Sequence, residues 1–212
     1  MGDHYFSEAP SSVDKPRRIR IPVAGREVEV TTNAGVFSPD RLDVGTRVLL
    51  THTPAPPSGG DFLDLGCGWG PISLDLADAS PHARVWAVDV NERALDLVRS
   101  NAAELGLDNV NAVRPEDVPA DVRFRTIRSN PPIRVGKAVL HDLMDEWIPR
   151  LDERSDAYLV VKRDLGSDSL QRWLDASLAR DFSVRRHATA KGFRVIKVRH
   201  HGTPRTEPLT VG

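Results

Sequence analysis

Hydrophobic residues recur along the chain in two patterns, short apolar strand-like runs and longer runs with a helical period. From residue 61 onward the two kinds of run alternate, which predicts parallel strands joined by right-handed helical crossovers. The predicted strands are residues 62–65, 85–89, 110–113, 124–129, 157–161, 182–186 and 193–198, and the predicted helices are 72–79, 92–105, 137–151 and 169–179. The chain is therefore predicted to form an α/β sheet, closed by a hairpin at Lys191-Gly192.

The first 60 residues have a different pattern. Residues 1–18 are polar and contain two prolines, which predicts a flexible arm. Apolar alternation on both sides of Ala24-Gly25 predicts a hairpin, followed by a helix over 43–50 and a Pro- and Gly-rich linker ending at residue 60. The expected organisation is the arm 1–18, the hairpin, helix and linker 19–60, the main domain 61–201 and a disordered tail 202–212.

Composition narrows the class of protein. A chain of 212 residues with 40% hydrophobic and 28% charged residues suits one soluble α/β domain. No apolar run approaches the roughly 18 residues of a spanning helix, and the N-terminus does not resemble a secretion signal, so a cytoplasmic protein without a membrane partner is expected. The lone Cys67 has no Cys or His cluster around it, so no metal site is expected.

A glycine-rich loop follows the first strand of the main domain and opens its first helix. It reads Asp64, Leu65, Gly66, Cys67, Gly68, Trp69, Gly70 and Pro71. Such a loop lets a ligand approach the backbone closely, although an ordinary tight strand-to-helix turn is the alternative. A dinucleotide fingerprint needs glycine where Pro71 stands, and no Walker Lys-Ser or Lys-Thr follows. A ligand without a pyrophosphate fits this loop better.

Acidic residues follow the next two strands. Asp89, with Val90 beside it, ends the second strand, where a carboxylate reaches ribose hydroxyls in this topology. Its alternative role is to stabilise the N-terminus of the following helix. Glu116-Asp117 follow the third strand and are candidates to accept a hydrogen bond from an adenine amine, unless they are ordinary solvated loop acids.

The fourth strand ends in Ser129, Asn130, Pro131, Pro132 and Ile133. Two successive prolines hold Asn130 outside the helical region and form a rigid turn. The Asn130 amide oxygen and the Pro131 carbonyl would accept both hydrogens of an amine and orient it for attack on a methyl sulfonium. The alternative is a helix-entry turn capped by Asn130.

Together these residues resemble the class I S-adenosylmethionine-dependent methyltransferases. The Asn130 to Ile133 tetrad is similar to that of enzymes that methylate amino groups of nucleic-acid bases or glutamine. Residues 35–46 resemble the segment before the glycine loop in the ribosomal RNA guanine-N2 methyltransferases, the small-domain methyltransferase family. The chain looks most like single-domain members, since 212 residues leave no space for the second, degenerate domain that many of these enzymes carry.

The resemblance implies a Rossmann-like fold and S-adenosylmethionine as cofactor. The implied cofactor-binding residues are Phe37, Asp64, Gly66, Cys67, Gly68, Trp69, Gly70, Asp89, Val90, Glu116, Asp117 and Asn130. Asn130, Pro131, Pro132 and Ile133 are the implied catalytic residues. One departure is Ile133, which stands where the family has an aromatic ring, so a target base would need another ring such as Phe6 or Phe37.

Basic residues without any acid fill segments 122–141 and 182–201. This segregation predicts a basic face beside the cleft that binds ribosomal RNA or a ribosomal subunit, the alternative being two solvated strand faces. His141, in the helical run after the tetrad, is expected to be a partly buried helix residue and not a catalytic base.

These observations predict a seven-stranded sheet of order 3-2-1-4-5-7-6 with the last strand antiparallel. The predicted reaction is methyl transfer to an exocyclic amine, with guanine N2 of ribosomal RNA preferred over a protein or small-molecule amine. A NAD-dependent oxidoreductase and a non-catalytic cofactor-binding module are the alternatives from other classes.

Overall fold

The computed structural model describes residues 15–202. The predicted tail, apart from Gly202, and most of the predicted arm, including Phe6, lie outside the described residues. Within the described part, the first strand begins at Arg17, so the last residues assigned to the arm belong to the hairpin.

Nine strands and five α-helices make up residues 15–202. The strands are β1 (Arg17–Val23), β2 (Arg26–Thr32), β3 (Gly59–Leu65), β4 (His82–Val88), β5 (Val110–Val113), β6 (Phe124–Ser129), β7 (Leu151–Lys162), β8 (Phe182–Ala190) and β9 (Phe193–His200). The helices are α1 (Val44–His52), α2 (Pro71–Ala79), α3 (Glu92–Leu105), α4 (Lys137–Trp147) and α5 (Ser167–Ser177).

The main sheet has seven strands in the order β5-β4-β3-β6-β7-β9-β8, and β1 and β2 form a separate hairpin. Strands β3 to β7 pair in parallel, whereas β9 is antiparallel to both β7 and β8. Counted within this sheet, the order is 3-2-1-4-5-7-6. The predicted order and the antiparallel last strand are confirmed.

Several element boundaries differ from the prediction, and two of these differences have a clear cause. Strand β3 begins at Gly59, inside the predicted linker, because Gly59 already pairs in register with His82. The predicted helix 137–151 ends at Trp147, and β7 begins at Leu151. Pro149 lies between them in a short 3-10 turn, since a proline inside an α-helix removes a hydrogen bond and clashes with the preceding turn.

The sheet is covered on both faces, so alternate strand residues enter different cores. Phe62 packs with α1 and α2, whereas its neighbour Leu63 packs with α4 and α5. Both side chains are fully buried. Trp86 and Trp147 are buried, and Trp173 is partly buried against the same core. No helix within residues 15–202 is long and apolar enough to cross a membrane.

The β1–β2 hairpin packs against α2 and α3. The Asn101 amide of α3 accepts a hydrogen bond from the backbone N–H of Thr31 at 2.8 Å and donates one to its carbonyl at 2.9 Å. Asn101 is fully buried, and it also donates to the Trp69 carbonyl at 3.3 Å. The chain that leaves β2 is thereby directed toward the glycine loop.

Candidate active site

Three neighbouring strands end side by side at the predicted site. Leu65 of β3 pairs with Val88 of β4 and with Ser129 of β6, so the residues that follow these three are adjacent at one sheet edge. These residues are Gly66, Asp89 and Asn130. A Cβ atom added at Gly66 would lie 4.0 Å from Cδ of Pro132. The glycine loop and the diproline turn therefore form the walls of one cleft.

The glycine loop is fixed by its own backbone. Gly66 and Cys67 donate their N–H groups to the Val88 carbonyl at 2.9 and 3.0 Å. Gly66, Gly68 and Gly70 all have positive φ angles, which residues other than glycine rarely adopt. At Gly70 an added Cβ would come within 3.0 Å of the Val98 side chain, whereas at Gly68 it would meet no atom within 4 Å. Gly70 thus allows close helix packing, and Gly68 faces open space.

Asp89 joins the ends of β3 and β4. Its Oδ2 accepts the Gly68 N–H at 2.9 Å and its Oδ1 accepts the Asn91 N–H at 2.9 Å. Burial raises the pKa of Asp89, and backbone N–H groups of Asn91, Gly68 and Val90 partly offset this rise. The carboxylate therefore lies directly beside the glycine loop.

Asp64 lies in the interior behind the loop. Its side chain is fully buried, and Oδ2 accepts the Ser73 hydroxyl at 2.6 Å. Oδ1 has no hydrogen-bond partner within the described residues. Burial raises the pKa of Asp64 to about 7. An unpaired buried carboxylate oxygen is costly and is characteristic of a ligand site.

Two loop side chains point into the core. The Trp69 ring is 2% exposed, and its Nε1–H donates to the Phe37 and Ser38 carbonyls at 3.0 and 3.3 Å. The indole therefore packs in the core and holds the segment before α1, so that only the backbone of Trp69 faces the predicted cofactor site. Burial also raises the pKa of Cys67 well above its usual value, so its thiol stays protonated.

The segment before α1 is bound to the β4 end of the cleft. Asn91 donates from Nδ2 to the Gly35 carbonyl, and Arg93 donates to the Ala34 carbonyl, both at 2.9 Å. Phe37, whose carbonyl accepts the Trp69 hydrogen bond, is 37% exposed. This segment is therefore anchored to the glycine loop and to α3.

The two acids after β5 differ in their surroundings. Glu116 accepts a hydrogen bond from Nε of Arg114 at 2.7 Å, and this contact lowers the pKa of Glu116. Arg114 also donates to the Val90 carbonyl at 3.2 Å, which links the β5 and β4 ends. Asp117 is exposed. Of the two, Asp117 is the better candidate for the adenine contact.

The Asn130 amide is held from one end. Its Nδ2 donates to Oδ2 of Asp43 at 2.9 Å and to the Thr46 hydroxyl at 3.0 Å. The Pro131 carbonyl oxygen accepts the Ile133 N–H at 2.8 Å, and its second lone pair can accept another hydrogen bond. Ile133 is partly buried and packs against the main core, so it presents little surface to a planar target.

Sequence reasoning missed Asp43 and Thr46. Asp43 caps α1, since its side chain accepts the Thr46 N–H at 3.0 Å. The sequence signals were this capping pattern and the resemblance of residues 35–46 to the family segment before the glycine loop, and neither predicts a contact with residue 130. The contact spans 87 positions and depends on the path of the chain between them.

One residue of the predicted basic face in the first segment is buried. Arg128 is 2% exposed and pairs with Asp75 at 3.3 Å, because its position on β6 faces the buried side of the sheet. Arg123 and Arg125 lie toward the opposite end of β6 from Asn130.

The second basic segment is also partly neutralised. Lys197 is 8% exposed and pairs with Asp156 at 2.7 Å. Arg185, Arg186 and Lys191 remain exposed. Lys191 lies in the turn between β8 and β9, and Arg163 at the end of β7 donates its N–H to the Gly192 carbonyl at 2.9 Å. Lys191 is therefore at the same sheet edge as Asn130.

His141 is half-buried in α4, and its ring stacks on Trp173 with 3.7 Å between centroids. It is thus a packed helix residue. Among residues 15–202, no group of three or more His, Cys, Asp or Glu side chains is arranged to hold a metal ion.

Comparison with known families decides the class of protein. The model of the methyltransferase small domain family matches residues 27–197. The chain belongs to this family. It is an S-adenosylmethionine-dependent methyltransferase, and the predicted family, enzyme class and cofactor are confirmed.

Relatives of this methyltransferase fall into two groups. YbxB of Bacillus subtilis, an uncharacterised protein, is 32% identical over 202 residues, covering 94% of this chain and 99% of YbxB. Ribosomal RNA small subunit methyltransferase C of Salmonella choleraesuis is 42% identical over 109 residues, covering 50% of this chain and 31% of the relative. The chain thus spans about a third of the named ribosomal RNA enzyme but nearly all of YbxB.

Solved structures support the fold. The 16S rRNA N2 G1207 methyltransferase (RsmC) of T. thermophilus, in complex with AdoMet and guanosine, superposes with a TM-score of 0.73 at 23% identity. The match covers 87% of this chain and 50% of that one. The Rossmann-like methyltransferase fold is confirmed.

The residues present fit the cofactor of the family. Open space lies in front of Gly68, the Asp89 carboxylate is within hydrogen-bond reach of the same loop, and Asp64 keeps an unpaired oxygen behind it. A loop with few side chains and a ribose acceptor beside it suit a sulfonium nucleoside better than a diphosphate.

Proposed function

We propose that this methyltransferase acts on an exocyclic amine, with guanine N2 of ribosomal RNA as the target. The observation that carries the proposal is the contact between the two halves of the cleft, where the diproline turn at Pro132 lies against Gly66. An amine bound at Asn130 would therefore be next to a methyl donor bound on the glycine loop.

The names of relatives support the choice of target. One curated relative is a ribosomal RNA small subunit methyltransferase, and a structural neighbour is an N2 guanine methyltransferase with guanosine bound. A ribosomal target would also agree with the predicted cytoplasmic location.

The cofactor would be held by three loops. Gly66, Gly68 and Gly70, with Cys67 and the backbone of Trp69, would lie against its methionine portion, with Asp64 behind them. Asp89 and Val90 would hold the ribose, Asp117 the adenine amine, and Phe37 would border the adenosine. S-adenosylmethionine, when bound, supplies an electrophilic methyl group on a sulfonium.

The chain's own contribution to the reaction is to position the acceptor. The Asn130 amide oxygen and the free lone pair of the Pro131 carbonyl accept the two amine hydrogens. The nitrogen lone pair, held in this orientation, would take the methyl group, and the electron pair of the broken C–S bond would leave with the sulfur. The methylated nitrogen loses one proton to water. Orientation lowers the barrier here, and no strong base is required.

The amine of a protein or a small molecule is the second candidate. Ile133 favours it, because a partly buried aliphatic side chain stacks poorly on a base. For an RNA target, another aromatic residue would have to supply the stacking ring, such as Phe6 or Phe37, of which Phe37 is 37% exposed.

A transfer assay with labelled methyl separates these candidates. The acceptors are ribosomal RNA lacking its modifications, bulk protein and a pool of small amines. We expect label in RNA, located at guanine N2 by nucleoside digestion. Label only in protein or small molecules would overturn the RNA target, and cofactor binding without any transfer would support the non-catalytic module.

Asn130→Ala tests the acceptor site in the same assay. Without the amide oxygen, kcat should fall by at least 100-fold, while the Kd for S-adenosylmethionine from calorimetry stays within about threefold. Turnover above a tenth of the wild-type rate would contradict the assigned role.

A further inference from the structure

We propose that Asp43 and Thr46 are positioning residues that set the orientation of the Asn130 amide and strengthen its oxygen as an acceptor. This inference rests on the proposed function, because it concerns the same acceptor site. The term Asn130 clamp is used below for the two hydrogen bonds from Asn130 Nδ2 to Asp43 and Thr46.

The clamp decides which end of the amide faces the cleft. A carboxylate has only acceptor oxygens, so the amide group nearest Asp43 must be the NH2 end. Both Nδ2 hydrogens are then used, one at 2.9 Å by Asp43 and one at 3.0 Å by Thr46. The amide oxygen, Oδ1, is left for the acceptor amine. A reversed amide would place Oδ1 against the Asp43 carboxylate. It would also turn the Asn130 NH2 group, a donor, toward the N–H groups of the acceptor amine.

The clamp is part of a packed structure. Thr46 is 3% exposed, and Oδ2 of Asp43 accepts both the Asn130 amide and the Thr46 backbone N–H. A Cβ added at Gly45 would come within 2.8 Å of the Phe193 ring and 2.9 Å of Asp43 Oδ2. Glycine is therefore required between the two clamp residues. The first turn of α1 is held between Asn130 and β9.

The charge on Asp43 adds an electrostatic effect. A hydrogen bond to an anion polarises the amide and makes its oxygen a stronger acceptor, as chains of hydrogen bonds do in low dielectric. During transfer the nitrogen gains positive charge as the N–C bond forms and the C–S pair moves to sulfur. This charge develops beside Oδ1, so the clamp stabilises the transition state more than the bound amine. Its loss should lower kcat more than it raises KM.

Four substitutions separate the clamp from helix capping. Asp43→Ser keeps a capping side chain that is too short to reach Asn130, and Asp43→Asn keeps cap and acceptor but removes the charge. Thr46→Val removes the hydroxyl at nearly constant shape, and Thr46→Ser restores it. Thr51→Val, on the exposed last turn of α1, is the matched control.

We expect Asp43→Ser to lower kcat by roughly 30-fold, and Asp43→Asn and Thr46→Val by roughly tenfold, with acceptor KM within about threefold. Thr46→Ser should recover most of the Thr46→Val loss, and Thr51→Val should match wild type. In an Asn130→Ala background, Asp43→Ser should have no further effect on kcat. Full additivity, or unchanged kcat in Asp43→Ser and Thr46→Val, would overturn the clamp while leaving the proposed reaction intact.

A second measurement does not require an acceptor. In 15N-labelled protein the Asn130 side-chain NH2 should exchange slowly with water and lose this protection in Asp43→Ser. Fast exchange in the wild type would overturn the clamp even if no acceptor is methylated, which separates its failure from that of the proposed function.

Discussion

The two halves of the cleft are built in different ways. The proposed cofactor half is local: Gly66 to Gly70 form one loop, and Asp89, which accepts from Gly68, is 21 positions away. The proposed acceptor half is assembled from distant segments, since Asn130 is held by Asp43 across 87 positions. Cofactor binding can thus be encoded in a short motif, whereas positioning of the acceptor requires the tertiary fold.

The comparison is tested most strongly at Asp89. Asp89→Ala removes a carboxylate that accepts two backbone N–H groups and would hold the ribose, so the Kd for S-adenosylmethionine should rise by roughly 100-fold. With saturating cofactor, kcat should fall much less. Calorimetry and initial rates measure the two effects.

Asp96→Ala is the matched control, because that carboxylate lies on α3 with its side chain 70% exposed. A Kd for Asp89→Ala within threefold of wild type would contradict the ribose role.

Asp64 provides a pH-dependent test within the cofactor half. Its folded pKa of about 7 lies above the usual 3.8, so the folded state holds the proton more tightly than the unfolded chain. Between these values, rising pH costs roughly 1.4 kcal/mol of folding stability per unit from this group. The contribution is full below about pH 4 and lost as pH passes 7.

Asp64→Asn removes this dependence. As pH rises from 5.5 to 7.5, the free energy of unfolding of the variant should therefore rise relative to that of the wild type by roughly 1–2 kcal/mol, and its Tm should rise with it. Thermal unfolding at several pH values measures the difference, with Asp96→Asn as control. A Tm difference independent of pH would show that Asp64 is ionised in the folded state throughout.

Substitution of Gly68 tests whether the cofactor occupies the open space in front of this residue. Gly68→Ala and Gly106→Ala both place a Cβ at positive φ, +54° and +69°, with no atom within 4 Å. Each should cost about 1–2 kcal/mol of stability. Only Gly68→Ala should also weaken cofactor binding, by roughly tenfold. Equal cofactor affinity in both variants would remove the loop from the binding site.

The smallest effect is expected at the acceptor side. If Lys191 contacts an RNA phosphate, Lys191→Ala should lower the magnitude of the slope of log K against log salt by roughly 0.7–0.9 and the affinity only slightly. Arg123→Ala, toward the opposite end of β6, should leave the slope unchanged. Identical slopes for both variants would argue against a basic contact at the Lys191 turn.

Much of the fold followed from periodicity. The alternation of strand and helix runs predicted all seven strands of the main sheet, and the resemblance to the class I methyltransferases supplied their order. Two boundaries in particular were predicted wrongly. The helix was extended past Pro149, which ends it, and Gly59 was assigned to the linker although it begins strand β3.

Side-chain directions were harder to predict than positions. Arg128 and Lys197 look like surface cations in the sequence, yet pairing with Asp75 and Asp156 allows both to be buried. Trp69 lies in a ligand loop, but its ring serves the core. Burial of such groups depends on partners contributed by distant elements, which local sequence does not reveal.

By itself the sequence determined the strand and helix segments, the glycine loop and the diproline turn, because each depends on backbone preferences of nearby residues. Only the tertiary structure decided that Asp43 and Thr46 meet Asn130, that Asp64 keeps an unpaired oxygen, and which cations stay exposed. These features are contacts between segments far apart in the chain, and they exist only after the sheet has brought its strand ends together.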